Sequence, residues 1–166
     1  YACTTCNHCV TRCPRGVKII DVVRAMRSVT AETGGIPKNL KAVVGSINSQ
    51  GNPWSQERDK RTEWAKGLDI SEFTPDTEYL LYVCCTSAYD GRSQKIARAI
   101  AQLLQKGGVS FGIIGNDEQC CGESVRKIGA EGEFSMLAEA NVKLFTDKGV
   151  KKIITTSPHC FQAFTS

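Results

Sequence analysis

"YLLYVCCTSAYDGRSQKIARAIAQLLQKGGVSFGII", residues 79–114, decides the fold. Its first five residues form a short apolar run of aromatic and branched side chains, which predicts a buried strand. Cys84 and Cys85 close that run. "GRSQKIARAIAQLLQKGG" then carries the period of an amphipathic helix. Ile96, Ala97, Ile100, Leu103 and Leu104 share one face, and Gly107-Gly108 stops it. "VSFGII" reads as a second strand.

Moving outward, the pattern repeats. "EGEFSMLAEANVKLFTDKG" predicts another helix, with Phe134, Leu137, Ala138, Leu144 and Phe145 on one side and Gly149 at its end. "VKKIITT" predicts a third strand. Strand–helix–strand–helix–strand with short loops implies right-handed crossovers and a parallel sheet. Each strand is followed by cysteine: Cys84 and Cys85, then Cys120 and Cys121 in "DEQCCGESVRK", then Cys160 in "SPHC". All five fall beyond the carboxyl ends of parallel strands, where open α/β sheets build their sites. Adjacent cysteines rarely pair with each other, because a disulfide needs separated and correctly directed Cβ atoms. Converging loops give both sulfurs of a Cys-Cys pair a use: they can reach different irons of one cluster.

The N-terminus carries a second cysteine group. "CTTCNHCVTRCP" sets Cys3, Cys6, Cys9 and Cys13 in the C-x2-C-x2-C-x3-C-P run of bacterial ferredoxins. Three thiolates on a tight loop reach three corners of a cubane, and backbone N–H groups point at its sulfides. In two-cluster domains the fourth cysteine serves the other cluster. Further ligands are therefore expected before Tyr1, and the chain reads as a piece of a longer polypeptide. Zinc sites space their ligand pairs more widely, so zinc fits this run poorly. His8 is read as a solvent-facing loop residue. After Pro14, "GVKIIDVVRAMRSVTAETGG" predicts a helix with Ile19, Ile20, Val23 and Met26 on its packing face.

Residues 36–77 lack strong periodicity and are read as a connector. "SQERDKRTEWAKG" predicts a short helix within it. Arg58, Arg61, Trp54 and Trp64 are read as ordinary packing and solvated charge, with a binding role as the alternative.

Composition bounds the rest. The chain has 166 residues, 41% hydrophobic and 23% charged, with a net charge of +4. A packed core is feasible. No basic cluster with interleaved aromatics is present, which argues against nucleic-acid binding. No apolar run approaches the ~20 residues of a membrane helix. Nine cysteines, odd in number and clustered, favour metal over a disulfide framework. A thiol–disulfide enzyme using Cys120 and Cys121 lacks the C-x-x-C at a helix start.

The C-terminal spacing has 34 residues between Cys85 and Cys120, 35 between Cys121 and Ser157, and then Cys160. It resembles the CCG domain of heterodisulfide reductase-like proteins. The N-terminal run resembles the cysteine-rich part of the C-type subunit. The order of the two resembles the fused D-type subunit. "GNPWSQERDKRTEW", "CTSAYDGRSQKIARA" and "TTSPHCF" are similar to stretches in membrane-complex relatives, including those passing electrons between electron-transferring flavoprotein and menaquinone.

The resemblance implies an α/β fold class: a small helical ferredoxin-type iron–sulfur module over 1–35, a connector over 36–77, and a parallel-sheet CCG domain over 78–166 with a second repeat downstream. It implies an oxidoreductase subunit passing electrons between a ferredoxin-type [4Fe-4S] module, to which Cys3, Cys6, Cys9 and Cys13 contribute ligands, and a CCG-bound cluster, cubane or non-cubane. The catalytic ligands implied are Cys85, Cys120, Cys121 and Cys160. The chain departs from the family at Ser157, where a cysteine is expected, and at Cys84, an added thiol. Serine is a poor soft-metal ligand. Three alternatives stay open: Cys84 substitutes, the cluster has four thiolates, or one iron takes another ligand. His159 is read as a loop residue, with proton relay or a hydrogen bond to sulfur as its alternative. Implied partners are flavin or iron–sulfur subunits and a membrane cytochrome b-type subunit. The implied location is the cytoplasm, with peripheral attachment to the inner face of the membrane as a variant. A purely electron-conducting subunit and a zinc-stabilised interaction module are the competing readings.

Overall fold

Leu80, Leu81 and Tyr82 are wholly removed from solvent, as a central parallel strand requires. The computed structural model describes residues 1–165. These three residues belong to β1 (Tyr79–Tyr82), flanked by β2 (Phe111–Gly112) and β3 (Ile153–Thr155) in the order β2-β1-β3. Both pairings are parallel: Leu80 stands opposite Gly112 on one side and Ile153 on the other. Phe73 and Ser71 extend the β2 edge through backbone bonds to Ile113.

The helices are α1 (His8–Arg12), α2 (Ile19–Glu32), α3 (Lys38–Gln50), α4 (Cys85–Tyr89), α5 (Gly91–Lys106), α6 (Glu123–Ile128), α7 (Glu131–Asp147) and α8 (Pro158–Thr165). A 3-10 helix, Arg58–Ala65, precedes the sheet. Successive residues of a strand face opposite sides, and the core divides accordingly. Leu81 and Val83 pack with Trp64, Ala97 and Ala101. Leu80 and Tyr82 pack with Phe73, Phe145 and Phe164 on the other side. There Tyr82, Phe145 and Phe164 meet edge to face, each pair contributing about 0.5–1.5 kcal/mol beyond area burial.

The three strands and the helices around Gly107-Gly108 and Gly149 lie where the periodicity places them. Some details differ. Ile96 and Leu103 are exposed, because α5 sinks onto the sheet through Ala97 and Ala101. Small side chains allow the closer approach, and the larger ones flank it. Met26 is exposed too, since α2 buries the stripe through Ile20 and Arg27 instead.

The larger difference is α3, which occupies part of the expected connector. Leu40, Val43, Val44 and Ile47 follow i, i+3, i+4, i+7 and pack with Cys85, Cys120, Val125 and Leu137. Gly45, Ser46, Asn48 and Ser49 dilute that signal in the sequence. Ser46 is buried because its hydroxyl donates to the Asn52 carbonyl and accepts from Ser55 N–H. Asn52 in turn caps the next turn, accepting from Trp54 and Gln56 N–H. The expected short helix near Trp64 is present in 3-10 form.

Candidate metal-cluster site

β1 and β3 lead within a few residues into α4 and α8, and β2 leads through a 3-10 turn at Gly115–Asp117 to α6; the cysteines sit at the starts of these helices. Cys84 caps α4, its sulfur accepting from Ser87 N–H at 3.5 Å. Cys120 and Cys121 precede Gly122, which starts α6. The Gly122 N–H points at the Cys120 sulfur, 3.5 Å away. Cys160 lies in the first turn of α8. Ser157 caps that helix: its hydroxyl accepts from His159 N–H at 3.2 Å, and Pro158 follows in the position where its missing N–H costs nothing. The residue standing where the family pattern has cysteine therefore has a local structural role.

All five of these cysteines are buried, and all line one cavity of about 500 Å³. Ser157, His159, Lys127, Glu123 and Trp54 also line it. The two members of each Cys-Cys pair fall in different core clusters. Cys85 and Cys120 pack towards α3 and α7, whereas Cys84, Cys121 and Cys160 pack towards Tyr82 and Phe73. The thiols influence one another pairwise, Cys85 with Cys120, Cys120 with Cys121, Cys121 with Cys160, and Cys160 with Cys84. Loops distant in sequence thus meet sulfur to sulfur. All nine cysteines are free thiols.

The donor set fits an iron–sulfur cluster. The Cys160 thiol, and Ser87 behind it, hold Cys84 down to about 4. Cys121 accepts from Cys120 and Cys160 and is likewise held down to about 4. Cys120 is pushed up to about 12 by donating to Cys121. Cys85 and Cys160 are raised as donors to Cys120 and to Cys121 respectively. The lowered thiols, Cys84 and Cys121, are each set beside a raised one, because neighbouring buried thiolates repel one another. Deprotonating all of them requires positive charge in the cavity, which iron supplies. Among the described residues, no three His, Cys, Asp or Glu side chains gather around a single ion-sized point.

Arg61 is the residue whose importance the sequence understated. It is 3% exposed, on the 3-10 helix. It pairs with Glu118, itself 4% exposed, at 2.5 Å. Arg61 also donates to the Val83 carbonyl at 3.0 Å and to the Cys85 sulfur at 3.4 Å. Glu118 accepts from Val83 N–H at 3.2 Å. The pair thus grips both backbone groups of the residue before Cys84. Desolvation raises the Glu118 carboxyl to about 7, with the Arg61 cation pulling the other way.

The N-terminal cysteines present a different surface. Cys3, Cys6 and Cys9 are exposed and Cys13 is half-buried. Backbone N–H groups turn towards their sulfurs. Thr5 N–H reaches Cys3 at 3.4 Å. The His8 N–H lowers Cys6, and those of Val17 and Arg15 lower Cys13. Thr5 and Asn7 hold positive φ values of 57° and 68°, an uncommon conformation that winds the loop around its thiols. His8 is exposed as expected, but it opens α1 and does not lie in a loop. The loop is strapped to the CCG part by Arg27, which donates to the Cys3 carbonyl at 2.5 Å and to the Lys127 carbonyl at 2.7 Å.

His159 lies on α8, not in a loop, and is exposed; its Nδ1 is 3.5 Å from a Glu123 oxygen. Lys127 meets the other Glu123 oxygen at 2.6 Å. These three side chains also line a neighbouring cavity of about 460 Å³ that reaches Thr5 and Asn7 of the N-terminal loop. Glu123, Lys127 and His159 are therefore shared by the two cavities. Among the described residues, no helix is long and apolar enough to cross a membrane.

A family model described as a CCG cysteine-rich domain matches residues 79–165. The chain is 36% identical, over 99% of its length, to the Probable iron-sulfur-binding oxidoreductase FadF of Bacillus subtilis. It is 32% identical, over 98% of its length, to the EtfAB:quinone oxidoreductase of Syntrophomonas wolfei. It is 28% identical, again over 98%, to the D-type subunit of the dihydromethanophenazine:CoB--CoM heterodisulfide reductase of Methanosarcina barkeri. The chain spans 25%, 24% and 40% of these three proteins' own lengths. No solved structure matches it.

Proposed function

The chain belongs to the CCG cysteine-rich domain family, and from that premise we propose that it is an iron–sulfur electron-transfer module of a heterodisulfide reductase-like oxidoreductase. The observation that carries the reading is the single cavity lined by Cys84, Cys85, Cys120, Cys121 and Cys160. Cys85, Cys120, Cys121 and Cys160 would hold a [4Fe-4S] cluster there, cubane or non-cubane, with Cys84 as the added donor. Cys3, Cys6 and Cys9 would hold a ferredoxin-type [4Fe-4S] cluster, and Cys13 would serve a further one. Such clusters supply one-electron chemistry to a disulfide, a thiol or a quinone-linked partner.

The protein's own contribution is positional. Gly122 N–H and Ser87 N–H donate to ligand sulfurs, which favours their thiolate forms. The α3 helix and Trp54 close one side of the cavity against water. Arg27 holds the N-terminal loop against the end of α6, so the two cysteine groups keep a fixed separation. Residues 1–35 and 78–166 are read as the two redox modules, with 36–77 packing between them. Partner subunits carrying flavin, further iron–sulfur centres or a membrane cytochrome b would take the electrons onward, on the cytoplasmic side of the membrane.

Ser157 favours a second reading, in which the cavity only conducts electrons. Its oxygen is engaged as a helix cap, which removes one thiolate from the family's set of five. Anaerobic purification of the full-length protein tests both. Iron and acid-labile sulfide are expected, and Cys85→Ser should remove one centre while leaving the ferredoxin-type EPR signal. A colourless wild-type protein without sulfide would overturn the proposal. A substrate-dependent EPR signal with an added thiol selects the catalytic reading; its absence selects the conducting one.

A further inference from the structure

The geometry points to Arg61 and Glu118 as an opposed pair that sets the reduction potential of the cavity centre through Cys85. This inference rests on the reading that Cys85 is a cluster ligand. Arg61 is buried, and one edge of its guanidinium donates to the Cys85 sulfur at 3.4 Å. A cation at that distance draws electron density from a thiolate and stabilises the site when an electron arrives. Low local dielectric strengthens the effect, because no water screens it.

Glu118 works against it. Its oxygen lies 2.5 Å from Arg61 Nη2 and 3.2 Å from Nε. The carboxylate thus occupies a different edge of the guanidinium from the one facing sulfur. It partly neutralises the cation without displacing it. The second Glu118 oxygen is held by Val83 N–H, and Arg61 Nη2 also binds the Val83 carbonyl. Both side chains are therefore anchored to the strand end that carries the cysteines, and neither can swing away when the centre changes charge. The sequence neighbours of Arg61 are solvated; Lys60, next in the chain, pairs with Glu57 at the surface. A buried, fork-bonded arginine among exposed charges is a costly arrangement for stability alone.

An EPR-monitored redox titration of the full-length protein in its native complex tests the pair. Arg61→Gln should shift the midpoint of the cavity centre to more negative potential. Glu118→Gln keeps an acceptor for Val83 N–H but removes the opposing charge, so it should shift the midpoint to more positive potential. Arg61→Lys keeps the charge and should fall between Arg61→Gln and wild type. The ferredoxin-type centre should keep its midpoint in all three. Loss of packing alone would not move the two substitutions in opposite directions. Unmoved midpoints, or shifts of the same sign, would overturn the inference while leaving the cluster assignment standing. If Arg61→Gln does not retain iron, the sign of the Glu118→Gln shift decides. A wild-type cavity without iron and sulfide overturns the parent reading itself.

Discussion

Gly129 lies against the main chain of Arg27: a Cβ added to Gly129 would stand 2.5 Å from the Arg27 carbonyl oxygen and 2.7 Å from the nitrogen of Ser28. The end of α6 and the middle of α2 thus meet backbone to backbone. Gly129 also holds a φ of +93°, which side-chain-bearing residues rarely adopt. The contact joins the N-terminal helices to the segment just after the Cys-Cys pair. It is therefore a joint between the two cysteine groups, closed by absence of a side chain.

Gly129→Ala should destabilise the protein by about 3 kcal/mol, since it adds both strain and a clash with immovable backbone. The measurement is a urea midpoint at constant m-value. An unchanged midpoint would show that the two helices do not approach so closely.

Arg27→Met keeps much of the stem but leaves the Lys127 and Cys3 carbonyls without their charged donor. The expected loss is about 2–3 kcal/mol. Hydrogen exchange should quicken across residues 1–13 and stay slow in Leu80–Tyr82. Equal protection of the N-terminal loop in the variant would remove Arg27 from its role as a strap.

Gly122→Ala tests why glycine follows the cysteine pair. Its φ is +86°, and a Cβ there would lie 2.9 Å from Phe134 Cδ2. The N–H that faces the Cys120 sulfur must then shift. Iron bound at the cavity should fall by about half or more, with the strain itself costing about 1–3 kcal/mol. Retention of full iron content would mean that the glycine serves the turn alone.

Ser157→Ala separates a cap from a ligand. Loss of the cap should cost about 1 kcal/mol and leave the iron content unchanged. Iron lost from the cavity site in this variant would instead make Ser157 a direct ligand.

Much of this was legible along the chain. The runs at 79–83, 109–114 and 150–156 marked the three strands, and the first is the most apolar because β1 lies between the other two and is buried. The spacing of Cys85, Cys120, Cys121 and Cys160 marked one rim, because parallel strands must all end on the same side. Tertiary structure alone decided what surrounds those sulfurs. Leu40, Val43, Val44 and Ile47 were read as part of a connector without strong periodicity, and only the fold shows them as one helix face packed on Cys85 and Cys120, with Leu40 and Val43 lining the cavity. Arg61 reads as one more charge in "RDKRTEW"; its burial beside Cys85 depends on Glu118, 57 residues away. Ser157 reads as a missing ligand until α8 forms and takes its oxygen for a cap. The division follows from range. Periodicity and spacing are properties of neighbouring residues, whereas desolvation, ion pairing and sulfur–sulfur contact exist only after distant segments have met.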